Sequence, residues 1–219
     1  MASTFASGTS TELDRKSLKK ADEFVVTTKK IFESVSQQTT LMVALAVILV
    51  AGGVGAGLYF TAKAKGNQEA ANALFLAKDN TDKLRDVVQK FPSSRAAFEA
   101  RLALGDYYFN HNEAEKSLEW YQGAADTAHN GFEKALSLYS LGYSFEKVDK
   151  HADAATAFEK GVGMGIAGLK GELLLGAGRN YSLAKNKAKA VSTLDQVIKE
   201  LPNSPYSHEA QKLKGQLEK

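Results

Sequence analysis

The chain contains no cysteine, and this absence removes several kinds of chemistry at once. Disulfides, a thiol nucleophile and a lipid-modified cysteine are all excluded. A cysteine-free chain suits an oxidising compartment, although it does not require one. Any function that depends on thiol chemistry is therefore ruled out.

Proline is also scarce, and the three prolines all lie in the C-terminal part of the chain, at Pro92, Pro202 and Pro205. Between them apolar residues recur at helical spacing, without the alternation typical of strands. The segment 83–91 stops before Pro92, as a helix is expected to do. Ser204 followed by Pro205 is the pattern of an N-cap and a first helical residue. The sequence predicts an all-α fold.

An excess of charge of one sign is likewise missing. From Thr61 to the end of the 219-residue chain, 22 Lys and Arg stand against 20 Asp and Glu. Nucleic-acid binding calls for a basic stripe or patch, so no nucleic-acid partner is predicted. This part of the chain is long enough for one domain with a real core.

One long hydrophobic run is present, the twenty uncharged residues from Leu41 to Phe60. About 20 apolar residues are needed for a helix to cross the roughly 30 Å core of a bilayer. A secretory signal has a shorter apolar core and a short basic start, whereas forty residues precede this run. We predict an uncleaved transmembrane helix at 41–60, a head at 1–40 and a domain at 61–219. Cleavage after the triplet 62–64 is the alternative.

The hydrophobic run carries small residues at four-residue spacing. They are Ala51, Gly53, Gly55 and Gly57. Such spacing places small residues on one helical face, where another helix can approach closely. We predict a packing face for a second copy or for another protein. The alternative is that glycine is simply common in membrane helices.

The head is predicted to begin with a disordered segment at 1–10, which is rich in Ser, Thr and Ala. An amphipathic helix at the membrane surface is predicted to follow it. Its apolar residues are Phe24, Val25, Ile31, Phe32 and Val35.

The charges that flank the run do not decide its orientation. Lys29 and Lys30 precede it, whereas Lys63, Lys65 and Lys78 follow it. Because the positive-inside rule is read within about 15–20 residues of a span, the two sides nearly tie. A cytoplasmic head and an outer C-terminal domain are the preferred arrangement.

Three segments of the C-terminal part repeat the same pattern, and its core is Leu104-Gly105-x-x-Tyr108, Leu141-Gly142-x-x-Phe145 and Ala177-Gly178-x-x-Tyr181. Twelve residues after each glycine comes a small residue, and sixteen after it a large apolar one. The small and large residues are Ser117 and Tyr121, Ala154 and Phe158, and Ala190 and Leu194. The pattern resembles the tetratricopeptide repeat. This resemblance implies an α-solenoid over residues 68–219, with a degenerate first repeat ending at Pro92 and a closing helix at 206–217.

Repeat domains of this kind hold peptides in a concave groove formed by the first helix of each hairpin. The repeat geometry assigns the groove to Leu102, Asp106, Phe109, Tyr139, Tyr143, Glu146, Leu175, Arg179 and Ser182. Chaperone-docking members clamp a terminal carboxylate with Lys and Asn, and here only Arg179 could serve. We therefore predict a groove for apolar or amphipathic segments of other proteins. The alternative is that some of these residues only pack against neighbouring helices.

No catalytic, cofactor or metal site is predicted. The string Gly163-x-Gly165-x-x-Gly168 matches a dinucleotide motif, but a helical pattern precedes it and no acidic residue follows at the required distance, so a turn is favoured. The four histidines lie singly near predicted turns, without the spacing of metal ligands. They are predicted to be solvated, and they are His111, His129, His151 and His208. The chain is predicted not to be an enzyme.

The order of these features resembles the YfgM-like family of bacterial inner-membrane proteins. The landmarks are residues 22–24 (Asp-Glu-Phe), 29–33 (Lys-Lys-Ile-Phe-Glu), 58–60 (Leu-Tyr-Phe) and 70–75 (Ala-Ala-Asn-Ala-Leu-Phe). The resemblance implies an inner-membrane anchor, a periplasmic repeat domain, and association with the Sec translocon and periplasmic chaperones. The leading hypothesis is a membrane-tethered protein-binding scaffold. The alternative is a structural protein that dimerises through its glycine face and organises an envelope complex.

Overall fold

The computed structural model describes residues 10–219, with side chains from residue 22 onward except those at 32 and 35–37. The predicted disorder of the N-terminal segment therefore lies outside the described residues, except at Ser10, which begins a helix. The side chains of Phe32 and Val35 in the predicted surface helix lie outside them as well.

The described residues form nine α-helices joined by short turns. The helices are α1 (Ser10–Ala77), α2 (Thr81–Lys90), α3 (Arg95–Asn110), α4 (Ala114–Asp126), α5 (Gly131–Lys147), α6 (His151–Val162), α7 (Ala167–Leu183), α8 (Lys187–Glu200) and α9 (Pro205–Leu217). The chain divides into two compact units, 1–62 and 63–219.

The first unit contains the greater part of α1, a single helix of 68 residues. No break separates the predicted surface helix from the predicted span. By length and composition, the part of α1 from Gln38 to Ala77 is the one candidate for a membrane-crossing helix among the described residues, with a mean hydropathy of 2.4 over its most apolar window. Within 41–60 the side chains are exposed, as Leu49 is at 72%.

The second unit is a series of helical hairpins. The last turns of α1 and the whole of α2 form the first hairpin, which buries Ala70, Ala77, Leu84 and Val87 against α3. The pairs α3–α4, α5–α6 and α7–α8 form the next three, each helix packing on its successor, and α9 closes the series against α7 and α8. The predicted degenerate repeat and closing helix correspond to the first hairpin and to α9.

The repeat glycines allow the two helices of each hairpin to approach closely. A Cβ added at Gly105 would lie 2.5 Å from the ring of Tyr121, and one at Gly142 would lie 2.7 Å from the ring of Phe158. At Gly178 the nearest atom would be Cδ2 of Leu194, at 2.8 Å. Real Cβ atoms do not come this close, so the glycine and the large residue sixteen positions later form one packing unit in every repeat.

The turns inside the last three hairpins also repeat. Asn112, Asp149 and Lys185 adopt a left-handed conformation, with φ of 59°, 58° and 59°. Asn and Asp tolerate this region better than other side chains, whereas Lys pays a steric cost. The glycine-rich string predicted to be a turn follows α6, with Gly165 at φ 71°.

Candidate protein-binding groove

The helices α3, α5 and α7 carry the nine residues that the repeat register assigns to a groove. Four of the nine, Asp106, Phe109, Tyr139 and Tyr143, line one cavity of about 280 Å³. Tyr121 and Ser140 complete its lining. We call this space between α3 and α5 the aromatic cavity. The cavity therefore contains four of the six predicted groove residues of the first two aligned repeats.

The only ionic group in the lining of the aromatic cavity is the carboxylate of Asp106. The hydroxyl of Tyr121 donates a hydrogen bond to Asp106 Oδ1 over 2.5 Å. Burial of the Tyr121 ring and the nearby carboxylate raise the pKa of this hydroxyl well above its ordinary value. Because Tyr121 stays a neutral donor, it fixes the orientation of the carboxylate at the cavity wall.

The other wall is a group of packed rings on α5 and α6. Tyr139 and Tyr143 meet edge to face with centroids 4.9 Å apart, and Tyr143 meets Phe158 in the same manner at 5.1 Å. The Tyr143 hydroxyl donates to Glu172 of α7. Burial and this carboxylate raise the pKa of Tyr143. The ring of Tyr143 is therefore held from two neighbouring helices.

Glu146 and Arg179 form a bidentate ion pair between α5 and α7. Arg179 Nε and Nη2 each lie 2.9 Å from a carboxylate oxygen of Glu146. Burial opposes the charge of Arg179, but the bonds to Glu146 outweigh it and raise the pKa of the guanidinium. The one residue that could have bound a partner's carboxylate is thus engaged within the protein, which argues further against a carboxylate clamp.

The remaining predicted groove residues differ in exposure. Leu175 is only 3% exposed and packs with Leu194, Val197 and Ala210, so it offers little surface to a partner. Leu102 is half-buried against the core between the first two aligned repeats. Ser182 is half-buried near the end of α7.

Three residues around the aromatic cavity escaped the sequence analysis. The repeat pattern assigns Tyr121 to an apolar core position. A buried tyrosine hydroxyl needs a hydrogen-bond partner, and this requirement could have predicted its contact with the groove. Ser140 lies near the same hydroxyl and partly offsets the rise of its pKa. Lys147 lies with Nζ 4.3 Å from the centroid of the Phe109 ring and donates to the Phe109 carbonyl over 2.7 Å.

A second cavity, of about 630 Å³, lies between the end of α1 and the start of α3. Leu74 and Phe75 contribute apolar surface to it, and Arg95, Glu99 and His129 contribute polar groups. The exposed side chain of Phe75 had no assigned role in the repeat pattern.

His129 connects two helix starts. Its Nε2 lies 3.0 Å from the Ser93 carbonyl, and its Nδ1 lies 3.1 Å from Glu133 Oε2. Burial would raise the pKa of Glu133, but hydrogen bonds from the His129 backbone and ring, with its charge and that of Arg95, outweigh burial and lower it. His129 is exposed, as predicted, and its ring also makes these two contacts.

His151 departs from the prediction of a solvated histidine, because it is half-buried. Its Nδ1 lies 3.0 Å from the side-chain oxygen of Asn180, a fully buried residue of α7. Because the Asn180 amide nitrogen donates to the Gly176 carbonyl, its oxygen is the acceptor and His151 donates. His111 and His208 are exposed, as predicted.

The predicted packing face in the first unit is open. A Cβ added at Gly53, Gly55 or Gly57 would meet no atom of the described residues within 4 Å. Ala51 is exposed beside them.

Comparisons with known proteins agree with the helical hairpins. Residues 172–204 match the tetratricopeptide repeat family. Two crystal structures of nearly identical TPR-like repeats from a putative kinesin light chain of Podosopora anserina, one with a single substitution, superpose with a TM-score of 0.52. They share 12% and 14% identity with this chain, over 70% of it and 83% of theirs. No curated protein sequence matches the chain.

The second unit is therefore an α-solenoid of helical hairpins. More narrowly, its fold is that of tetratricopeptide-repeat-like solenoids, and the predicted all-α fold with a long apolar helix near the N-terminus is confirmed. Folds of this kind support protein interaction, and the finer assignment to one subfamily rests on the sequence landmarks alone.

Proposed function

We propose that the chain is a non-enzymatic, membrane-tethered scaffold whose groove holds an apolar or amphipathic segment of another protein. The observation that carries the proposal is the aromatic cavity, where predicted groove residues from two repeats converge. At about 280 Å³, it is smaller than the roughly 300–1,000 Å³ typical of small-molecule pockets. It suits a side chain presented by a peptide better than a whole substrate.

The composition of the cavity wall supports a peptide ligand. Tyr and Phe supply large contact areas while losing few rotatable bonds, and Tyr139 and Tyr143 are already held by neighbouring rings. Residues that are fixed before binding cost less to order when a ligand arrives.

The tether is the apolar segment Leu41–Phe60, which supplies the length and composition of a single span. A span keeps the groove near one membrane and raises its effective concentration toward anything bound there. From the sequence resemblance to the YfgM-like family we propose that the repeats lie in the periplasm of a bacterium, close to the Sec translocon and its chaperones.

Photocrosslinking tests the groove directly. A photoreactive residue is placed at Tyr139 in the groove, and in a matched control at Thr156, which is exposed on α6. We expect adducts with defined segments of other proteins from position 139 and not from position 156. Equal adducts at both positions, or none at 139, would contradict the groove.

The absence of cysteine makes the orientation easy to test. Single substitutions Ser10→Cys and Glu218→Cys introduce unique thiols at the two ends of the described chain. An impermeant maleimide applied to spheroplasts should label position 218 and label position 10 only after lysis. The opposite pattern would invert the proposed topology.

Self-association is the second candidate function, and the four-residue spacing of Gly53 and Gly57 supports it. Replacing both glycines with leucine should then abolish crosslinking between two copies. Loss of crosslinking without loss of groove adducts would make dimerisation a separate property of the anchor.

A further inference from the structure

We infer that the aromatic cavity binds the side-chain ammonium of a lysine carried by the partner segment. The inference rests on the proposed function and specifies the chemistry of the ligand. It follows from the single carboxylate in the lining, from the rings around it, and from the way this carboxylate is already bonded.

The carboxylate of Asp106 determines which charge the ligand must carry. Its Oδ1 accepts the Tyr121 hydroxyl, and Oδ2 has no protein partner among the bonds of the described residues. Asp106 is exposed, and a purely apolar occupant that covered Oδ2 would remove its water without supplying a donor. An acidic occupant would meet like charge. A cationic donor satisfies the carboxylate and neutralises it.

The surroundings of the cavity leave this negative charge uncompensated. Arg179 is neutralised by Glu146, and Lys147 is held outside the lining by the Phe109 carbonyl. Glu172, which accepts the Tyr143 hydroxyl, adds a further negative charge behind the wall. Counting Asp106, Lys147 and Glu172 gives a local charge of −1, which is complementary to one cation.

The rings around Asp106 suit a cation as well. Cations are attracted to aromatic faces, most strongly where water is excluded. Two rings of the lining already attract the protein's own cations, with Lys147 Nζ 4.3 Å from the Phe109 centroid and the Arg179 guanidinium 5.9 Å from that of Tyr143. In the described part of the chain no cation lies over Tyr139, whose ring borders the same cavity.

Lysine fits this arrangement better than arginine. A guanidinium is matched by a carboxylate that offers both oxygens, whereas an ammonium is a compact charge satisfied by separate acceptors. Because Tyr121 already donates to Oδ1, Oδ2 is the one carboxylate oxygen without a protein donor among the described residues. The aliphatic part of a lysine can meanwhile lie along Phe109 and Tyr139.

The test is a selection from a random peptide display library on the full chain in lipid nanodiscs, after counter-selection on empty nanodiscs. We expect enriched peptides that share a lysine next to apolar residues. The same selection on Asp106→Asn, which keeps an acceptor for Tyr121, should enrich apolar peptides without the lysine. Asp153→Asn removes an exposed carboxylate on α6 and serves as the matched control.

The outcomes separate the two claims. No enriched peptide at all would overturn both the peptide groove and the lysine pocket. Enriched peptides without lysine, or with arginine instead, would overturn the lysine pocket alone. The same lysine preference in Asp106→Asn as in the wild type would also overturn it, with circular dichroism confirming that the variant is folded.

A measurement with one selected peptide gives the magnitude. Replacing its lysine with norleucine should weaken binding to the wild type about tenfold, a change of about 1.4 kcal/mol. The same replacement should change binding to Asp106→Asn less than twofold, whereas Asp153→Asn should behave as the wild type. An equal loss in all three proteins would show that the lysine acts elsewhere.

Discussion

Phe158 packs between two repeats, and its size decides whether Gly142→Ala destabilises or stabilises the protein. A Cβ on Gly142 would lie 2.7–2.8 Å from three atoms of the Phe158 ring. The opposite edge of that ring lies 3.0–3.1 Å from the position of a Cβ on Gly176. The ring is fully buried, so it has little room to retreat in either direction. We expect Gly142→Ala to destabilise the solenoid.

Two opposing effects set the size of this change. Alanine favours a helix interior over glycine by about 1 kcal/mol. Overpacking a filled core costs about 1–3 kcal/mol, and the confined ring of Phe158 favours the upper half of that range. The net expectation for Gly142→Ala is a loss of about 1–2 kcal/mol in the free energy of unfolding.

A smaller residue at position 158 should reverse the effect of Gly142→Ala on stability. Valine at position 158 lacks all three ring atoms that a Cβ on residue 142 would meet. In a Phe158→Val background, Gly142→Ala should therefore be neutral or stabilising by up to about 1 kcal/mol. Gly215→Ala is the control, because no atom lies within 4 Å of its added Cβ, and it should stabilise α9 by up to about 1 kcal/mol.

The assay is urea unfolding of the full chain in detergent, followed by far-UV circular dichroism, with the four proteins of the cycle and the control measured together. If Gly142→Ala is as stable as the wild type, or if its effect is the same with phenylalanine and valine at position 158, the wedge between the two repeats is not the source of the glycine requirement.

Three further predictions concern ion pairs and a turn. Arg179→Met should lower the unfolding free energy by about 1–2 kcal/mol. This is below the roughly 3–5 kcal/mol lost when a fully buried ion pair is broken, because Glu146 retains 23% side-chain exposure. Chemical denaturation measures the loss, and no loss would mean that the bidentate pair is not maintained. Since the pKa of Glu133 is lowered by folding, its contribution is complete above the unfolded value of about 4.3 and is lost as pH falls below it. Glu133→Gln should therefore flatten the acid side of the stability profile from about pH 5 downward, and an unchanged slope would refute the assignment. Lys185→Gly should stabilise the protein by about 0.5–1 kcal/mol, because glycine adopts the left-handed conformation without steric cost. Lys187→Gly in α8 should destabilise it by a similar amount. Thermal unfolding of both variants distinguishes them, and a loss of stability in both would show that the left-handed turn is not strained.

The fold was predictable because its packing rule recurs locally. Gly105, Gly142 and Gly178 stand at nearly constant spacing, and each lies sixteen residues before the side chain that it accommodates. Such a rule is visible in one sequence. The continuity of α1 was harder to predict. The change of composition at the start of the apolar run suggested separate helices, although no proline interrupts the segment.

The groove was predictable where the repeats follow one another regularly and not at the end of the array. Asp106 and Tyr139 meet at one cavity because the register between adjacent repeats is constant. Leu175 has the equivalent register but is covered in the terminal hairpin by α9. The pairing of Glu146 with Arg179 joins residues 33 apart, and only the superhelical arrangement of α5 and α7 brings them together.

The partners of Tyr121 and Phe158 bear on whether the repeats can be shuffled. Two positions before the next repeat glycine, the repeats carry different residues. Ser140 lines the same cavity as Tyr121, whereas Gly176 leaves room for the ring of Phe158. Deleting the middle repeat would set Tyr121 against Gly176 and remove Ser140 from beside it. The repeats share one architecture, yet each is matched to its neighbour, so exchanging their order would lose these contacts.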